Sequence, residues 1–260
     1  EEVLNPIGWE KIGNLEIGDK VIGSDGNPTE VIGKYPQGEK EIFEITFSHG
    51  AKTRACGEHL WVVQTNNHRQ RNQGFVVKET KELVGDLRYG GKNNYKKWFT
   101  PTLSDPVEFE NSNEDYIISP YALGLLLGDG TLGNGYVNFS TKDKELIEGL
   151  KRGLPSSVDV RHRSEYDYGI ATKSGPGTQN EVLNEVRGLK VDKNAGSKFI
   201  PDKYKYGSIE TRISVMQGLL DTDGSAHGNA ATFCSVSKTL AEDLREIIRS
   251  LGGVCSIYDG

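Results

Sequence analysis

Shifting this 260-residue sequence by 94 positions lays one stretch on another without a gap. Gly124 falls on Gly218, Leu125-Leu126 on Leu219-Leu220, Asp129-Gly130 on Asp223-Gly224 and Phe139 on Phe233. Lys144 falls on Lys238, Leu146 on Leu240, Glu148 on Glu242, Leu150 on Leu244 and Ser156 on Ser250. Eleven identities in register, with the same Asp-Gly closing the same kind of apolar run, indicate a duplicated unit. Its pattern reads helix, acidic turn, strand, helix, strand. Ser119-Pro120 starts the first helix, because Ser caps and Pro fits the first helical position; Ser208 is the matching start in the second copy. Lys142 to Gly153 reads as the next helix. Residues 158–163 and 166–172 alternate as a hairpin. Val254-Cys255-Ser256-Ile257 reads as an outgoing strand with no return strand, so the authentic chain is expected to continue or to be completed by another fragment.

Gly124 and Gly128 stand four apart in the first copy, and Gly218 and Thr222 in the second. Small residues at this spacing share one helix face and let two helices approach closely. Parallel packing of the two copies would bring their last turns, and therefore Asp129 and Asp223, together. Two ionised carboxylates at one place repel, and a divalent cation removes the penalty. Oxygen ligands with water and phosphate suit Mg²⁺ (or Mn²⁺), which can activate water and stabilise the leaving oxygen of a phosphodiester. Gly128-Asp129-Gly130-Thr131-Leu132-Gly133 also fits GxGxxG, but a helix precedes it and a strand follows, the reverse of a dinucleotide site.

Both segments, 122–130 and 216–224, resemble the LAGLIDADG motif of homing endonucleases, over about residues 116–260. The resemblance implies that Asp129 and Asp223 bind the catalytic metal, with backbone carbonyls of Gly128 and Thr222 as companions. The motif's earlier acidic position is Leu127 in the first copy and Asp221 in the second. Lys198-Phe199-Ile200-Pro201 resembles the Lys-x-Ile-Pro block of intein-borne members, which makes Lys198 the candidate assisting lysine and Lys203 the second choice. The family reads duplex DNA with saddle-shaped antiparallel strands. Arg161 and Arg163, two apart on one strand face, with Tyr166, Tyr168 and Lys173 on the return, form the best candidate surface.

The first part of the chain reads as short strands between turns such as Ser24-Asp25-Gly26-Asn27-Pro28 and His49-Gly50; Val31-Ile32, residues 98–101 and 107–109 are further strand candidates. Gly8-Trp9-Glu10 through Asp25-Gly26 resembles the opening block of Hint (hedgehog/intein) domains, and Phe47 through Trp61 their second block. In that family a Thr-x-x-His histidine promotes an acyl shift at the first residue. His59 is the matching histidine, and Cys56 stands in the Thr position. An imidazole can protonate the departing amine and a neighbouring donor can stabilise the oxyanion. Glu1 stands where that family has Cys or Ser, and no terminal His-Asn pair is present, so this segment is not expected to splice alone.

The expected fold is therefore mixed. An all-β Hint-type domain occupies 1–113. An α+β pseudo-twofold LAGLIDADG endonuclease domain occupies 114–260: two αββαββ-like repeats, about 116–195 and an incomplete 196–260, a central parallel helix pair and a β saddle. The polar run 110–115 marks the boundary. The formal charge is −6, with 14 basic and 17 acidic groups up to residue 113 and 17 and 20 after it, which excludes indiscriminate nucleic-acid binding and requires a local basic face. No apolar run approaches the ~20 residues of a membrane span, and no leader is visible, so a cytoplasmic monomer is expected. Cys56, Cys234 and Cys255 are isolated, which disfavours a disulfide framework or a zinc site. Expected partners are a double-stranded DNA target, flanking host-protein (extein) segments and the C-terminal remainder of the intein. The leading reading is an intein with an embedded homing endonuclease. The alternatives are a LAGLIDADG-derived DNA-binding module that no longer cuts, and a Hint autoprocessing protein carrying a passenger domain.

Overall fold

A computed structural model describes residues 1–48, 50–90, 95–101, 103–110, 115–133, 135–175 and 178–258. The chain forms two units, Glu1–Pro106 and Val107–Gly260. The expected turn at His49 and most of the polar run at 110–115 fall outside the described residues.

In the first unit ten short strands pair in sequence order as antiparallel two-stranded ladders: β1 (Glu2–Asn5) with β2 (Gly8–Lys11), β3 (Lys20–Ile22) with β4 (Pro28–Glu30), β5 (Ile42–Thr46) with β6 (Lys52–Cys56), β7 (Leu60–Val63) with β8 (Val76–Glu79), and β9 (Arg88–Tyr89) with β10 (Tyr95–Lys96). Two short helices, α1 (Asn66–Gln70) and α2 (Thr80–Leu83), interrupt them. Val31-Ile32 is not a strand: Val31 exchanges backbone hydrogen bonds with Gly18 and Asp19, and Ile32 is solvent-exposed. Of residues 98–101, only Phe99 pairs, in an isolated bridge with Gln64. Buried apolar side chains are few, namely Leu15, Ala55 and Val63, whereas Trp9, Ile17, Ile42, Leu60 and Val77 face solvent.

The second unit begins at Val107. Val107 and Phe109, expected as a strand closing the first domain, are not a strand and belong here: the Val107 amide donates to the Ser250 carbonyl and the Phe109 ring packs on Tyr206. The element order is α3 (Pro120–Asp129), β11 (Gly130–Thr131), β12 (Asn138–Ser140), α4 (Lys144–Arg152), β13 (Val158–Ser164), β14 (Asp167–Thr172), α5 (Glu181–Gly188), α6 (Asp202–Lys205), α7 (Ile209–Asp223), β15 (Gly224–His227), β16 (Ala230–Phe233) and α8 (Lys238–Ser250). Among the described residues the first copy carries a four-stranded antiparallel sheet in the order β11-β12-β14-β13, and the second the β15-β16 pair. Residues 254–257, expected as a strand, form none.

Each repeated helix is capped as its sequence requires. Ser119 accepts from the Ala122 amide, Ser208 from Thr211, Asp143 from Glu145 and Ser237 from Leu240. Helix α3 is buried from Ala122 to Leu127, as an apolar run on all sides demands. Its seam with α7 is set by glycine. A Cβ on Gly218 would lie 2.8 Å from the Leu125 nitrogen and 2.9 Å from Gly124 Cα, and one on Gly128 would lie 2.7 Å from Thr222 Cβ. The pairing of 124 with 218 and of 128 with 222 makes the helices parallel and in register.

Gly218→Ala therefore forces the seam apart. Its expected cost is ~1–3 kcal/mol by overpacking, seen as a lower midpoint of chemical denaturation. Gly133→Ala, with open space around the added carbon, serves as the near-neutral control; equal midpoints for the two variants would refute the close-packed seam.

Candidate functional site

The last residues of α3 and α7 are Asp129 and Asp223, and both helices end alike. The next residue is extended, with φ −85° at Gly130 and −94° at Gly224, and its amide returns to Leu126 or Leu220. These glycines are required by space rather than by φ. A Cβ would stand 2.8 Å from Leu126 Cα in one case and 2.7 Å from Leu220 Cα in the other. Burial holds the Asp129 carboxyl above the ordinary range, and the charge of Asp223 raises it further, against the opposing pull of Lys198. Burial likewise raises Asp223, again opposed by Lys198.

Lys198 caps the end of α3. Its ammonium donates to the carbonyls of Leu127 at 2.8 Å, Gly128 at 2.9 Å and Gly130 at 2.7 Å. Those three bonds use all three of its donors. Burial lowers its pKa, while Asp223 and Asp129 raise it in opposition. Lys203, the second choice, is turned elsewhere and donates to the Asp115 carbonyl. A cleft of 390 Å³ opens here, lined by Leu127, Gly128, Ala195, Lys198, Asp223, Cys234, Ser235 and Val236.

The donors suit a hard cation: two carboxylates, Asp129 partly buried and Asp223 exposed, both raised by desolvation, plus backbone oxygen. Among the described residues no group of three or more His, Cys, Asp or Glu side chains could hold a metal. The Gly128 carbonyl already accepts from Lys198 and keeps one lone pair. The Thr222 hydroxyl turns back onto its own helix, donating to Leu219 at 2.9 Å, which leaves only its backbone as a candidate ligand.

The basic candidates divide between faces. Val158 and Val160 are buried while Asp159, Arg161 and Arg163 are exposed, so both arginines lie on the outer face of β13. Arg161 donates to the Thr172 carbonyl at 3.1 Å and lies 3.6 Å from Asp159. Arg163 lies across Gly169, where a Cβ would collide with its guanidinium. Tyr168 pairs with Phe139 and His162 in register and packs on the core, so it leaves the arginine face. Tyr166 is exposed in the turn, and Lys173 follows the strand, its amide bonded to Ser157.

In the first unit, Cys56 ends β6 and His59 closes the turn after it, its amide donating to the Cys56 carbonyl at 3.2 Å. Thr80 and Lys81 of α2 clamp that turn through amide bonds to His59 and Gly57. The His59 ring packs edge-on against Trp61 at 4.8 Å. The Glu1 carboxylate accepts from the Arg54 amide at 3.0 Å, so the first residue lies beside the strand that ends at Cys56.

Two residues of the site escaped the sequence reading. Ser237 donates to the Lys198 carbonyl at 2.6 Å, and Asp243 accepts from the Ile200 amide at 2.8 Å. Asp243 was detectable in principle: it shares the helical stripe of Leu240, Leu244 and Ile247, where a charge is out of place.

No family model matches the chain. It is 27% identical, over 96% of its length, to the replicative DNA helicase DnaB of Mycobacterium intracellulare, and spans 41% of that protein. It is 26% identical to a crystal structure of the MchDnaB-1 intein over 35% of this chain and 59% of that one, with a TM-score of 0.26. Among the described residues no helix is long and apolar enough to cross a membrane.

The carboxylates carry a stability consequence. Because the Asp129 carboxyl is raised on folding, the folded protein binds more protons than the unfolded chain between the ordinary and the raised pKa. Stability therefore falls as pH rises through that window. Asp129→Asn removes the penalty. The variant is expected to melt above the parent at neutral pH, with the gap closing as pH falls below the usual carboxylate range. A gap constant with pH would show that the carboxylate is not strained.

Proposed function

We propose that the chain is most of an intein: a Hint-type splicing unit joined to a LAGLIDADG-type unit that cuts double-stranded DNA. The observation that carries the cutting half is the convergence of Asp129, Asp223 and Lys198 at the ends of two parallel, glycine-packed helices. The splicing half rests on the blocks Gly8–Gly26 and Phe47–Trp61 and on the placement of Cys56 at the end of β6 and His59 in the turn after it. A helicase reading gains no support from the residues, since the sequence holds no GxxxxGK[ST] phosphate loop.

Mg²⁺ or Mn²⁺ held by Asp129 and Asp223, with the backbone oxygens of Gly128 and Thr222, would polarise water and neutralise charge on a leaving phosphodiester oxygen. The protein's own part is placement. The Gly124–Gly218 contact sets how far apart the carboxylates stand. Lys198 has no spare N–H, so it acts by fixing the α3 terminus and by its field, not by donating to the phosphate. Arg161 and Arg163 offer cations to the DNA backbone from the outer face of β13. In the splicing unit, His59 protonates the departing amine of the first peptide bond in a longer precursor. The flanking host segments supply that bond, and the C-terminal remainder of the intein covers the apolar surface around Trp9, Ile42 and Leu60.

Asp129→Asn and Asp223→Asn should each abolish Mg²⁺-dependent cutting of duplexes selected from a randomised library, while retaining their binding in a gel-shift assay. Cutting at the parental rate by either variant sinks the assignment. Binding without cutting by the parent itself favours the non-cleaving module. In a precursor with flanking segments restored and a Cys supplied at the first junction as the attacking thiol, His59→Ala should block the shift of the upstream acyl group from nitrogen to that sulfur, measured as loss of thiol-induced cleavage.

A further inference from the structure

Lys198 precedes a segment with no regular structure, yet its ammonium meets three carbonyls of a helix end some 70 residues earlier in the chain. Something must hold its backbone. Two buried side chains of α8 do so on either side. Ser237, fully buried, donates to the Lys198 carbonyl at 2.6 Å while its own oxygen caps α8 at the Leu240 amide. Asp243, 7% exposed, accepts from the Ile200 amide at 2.8 Å through one oxygen, and Lys205 balances the other at 3.0 Å.

We propose that Ser237 and Asp243 are positioning residues of the cutting site: through Lys198, α8 of the second repeat holds the α3 terminus, and so the Asp129 carboxylate, of the first. The idea deepens the reading of Asp129, Asp223 and Lys198 as the cutting centre and rests on it for its catalytic meaning. The geometry is one-sided. Lys198 reaches three carbonyls of the α3 end, and its hydrogen bonds include none to the end of α7. The two carboxylates are therefore held by different means. Asp223 follows its own helix, whereas the α3 end that carries Asp129 depends on a contact from the other repeat. A slack α8 should misplace one carboxylate and spare the other.

The test reads the lysine directly. Full-length protein is treated with a limiting amine-acylating reagent, and labelling of each lysine is mapped by peptide mass spectrometry, with exposed Lys238 as the internal reference. Lys198 is expected to be strongly protected in the parent. In Ser237→Ala its labelling relative to Lys238 should rise about tenfold, the scale set by loss of one buried hydrogen bond. Lys205, whose Asp243 partner is intact, should not change, and Ser237→Thr should restore protection. Asp243→Ala should expose Lys198 and Lys205 together. In both alanine variants nicking of duplex DNA should slow while duplex binding holds. Unchanged Lys198 labelling in both alanine variants overturns the proposal. So does a rise in Ser237→Ala shared equally by Lys205, which marks general loosening. If labelling responds as expected but the parent never nicks DNA, the positioning role stands and the cutting reading falls.

Discussion

The contact between Gly124 and Gly218 governs what the second unit can do. Side chains at either position would push α3 and α7 apart by the width of a methyl group or more. With hydrogen there instead, the backbones touch, and Thr222 fits against Gly128 one turn further on. Carboxylates at the helix ends inherit that spacing without any loop to adjust it. A site built on the ends of two packed helices is as rigid as the packing, which is the condition under which sub-ångström placement of charges can be sustained.

Electrostatics at those ends runs against stability. The C-terminus of a helix carries partial negative charge, so an Asp in the last turn is disfavoured by about 0.3–1 kcal/mol, and here two such ends lie side by side. Burial adds a further penalty to each carboxyl, and Asp223 raises Asp129. Lys198 answers only part of this: it neutralises the α3 carbonyls, and burial lowers its own pKa. Packing alone would select neutral residues at 129 and 223. Their presence in both copies, against that penalty, is the feature that the proposed cation would explain.

How much of this was legible in sequence follows from where each signal lives. The helix pair was readable because small residues four apart and a closing Asp-Gly recur at one offset, a local pattern repeated twice. Lys198 was readable only through a short block. Its three acceptors are backbone carbonyls of α3, which leave no mark on residue identity. Tyr168 was assigned to the wrong face, because a hairpin's facing depends on register: Val160 pairs with Ile170, which puts Tyr168 inward and Gly169 beneath Arg163. The strand expected at 254–257 rested on propensity alone, and propensity cannot supply a partner.

Contrast between the two units sharpens the functional argument. The second unit buries Leu123, Leu125, Leu126, Phe139 and Ile200 completely around one core, together with the charged Arg212, which bonds to Gly207, Ser250 and Val107. That network ties α7, α8 and the entering segment into one body, so the carboxylate end of α7 is anchored at its far end as well. Among the described residues the first unit pairs its strands two at a time and leaves Trp9, Ile17, Leu60 and Val77 exposed. Isolated two-stranded ladders are marginal in water. A unit of this kind gains its stability from further strands or from apolar cover, and surfaces that expose several large apolar groups are commonly interaction surfaces. The Asp129–Asp223 pair is thus supported by the core of its own unit, whereas the turn that presents His59 stands on two-stranded ladders with exposed apolar side chains. The two chemistries proposed for the chain therefore differ in what they would need: the proposed cutting reaction draws on a packed core already present around Asp129 and Asp223, and the proposed splicing reaction on cover for exposed apolar strands.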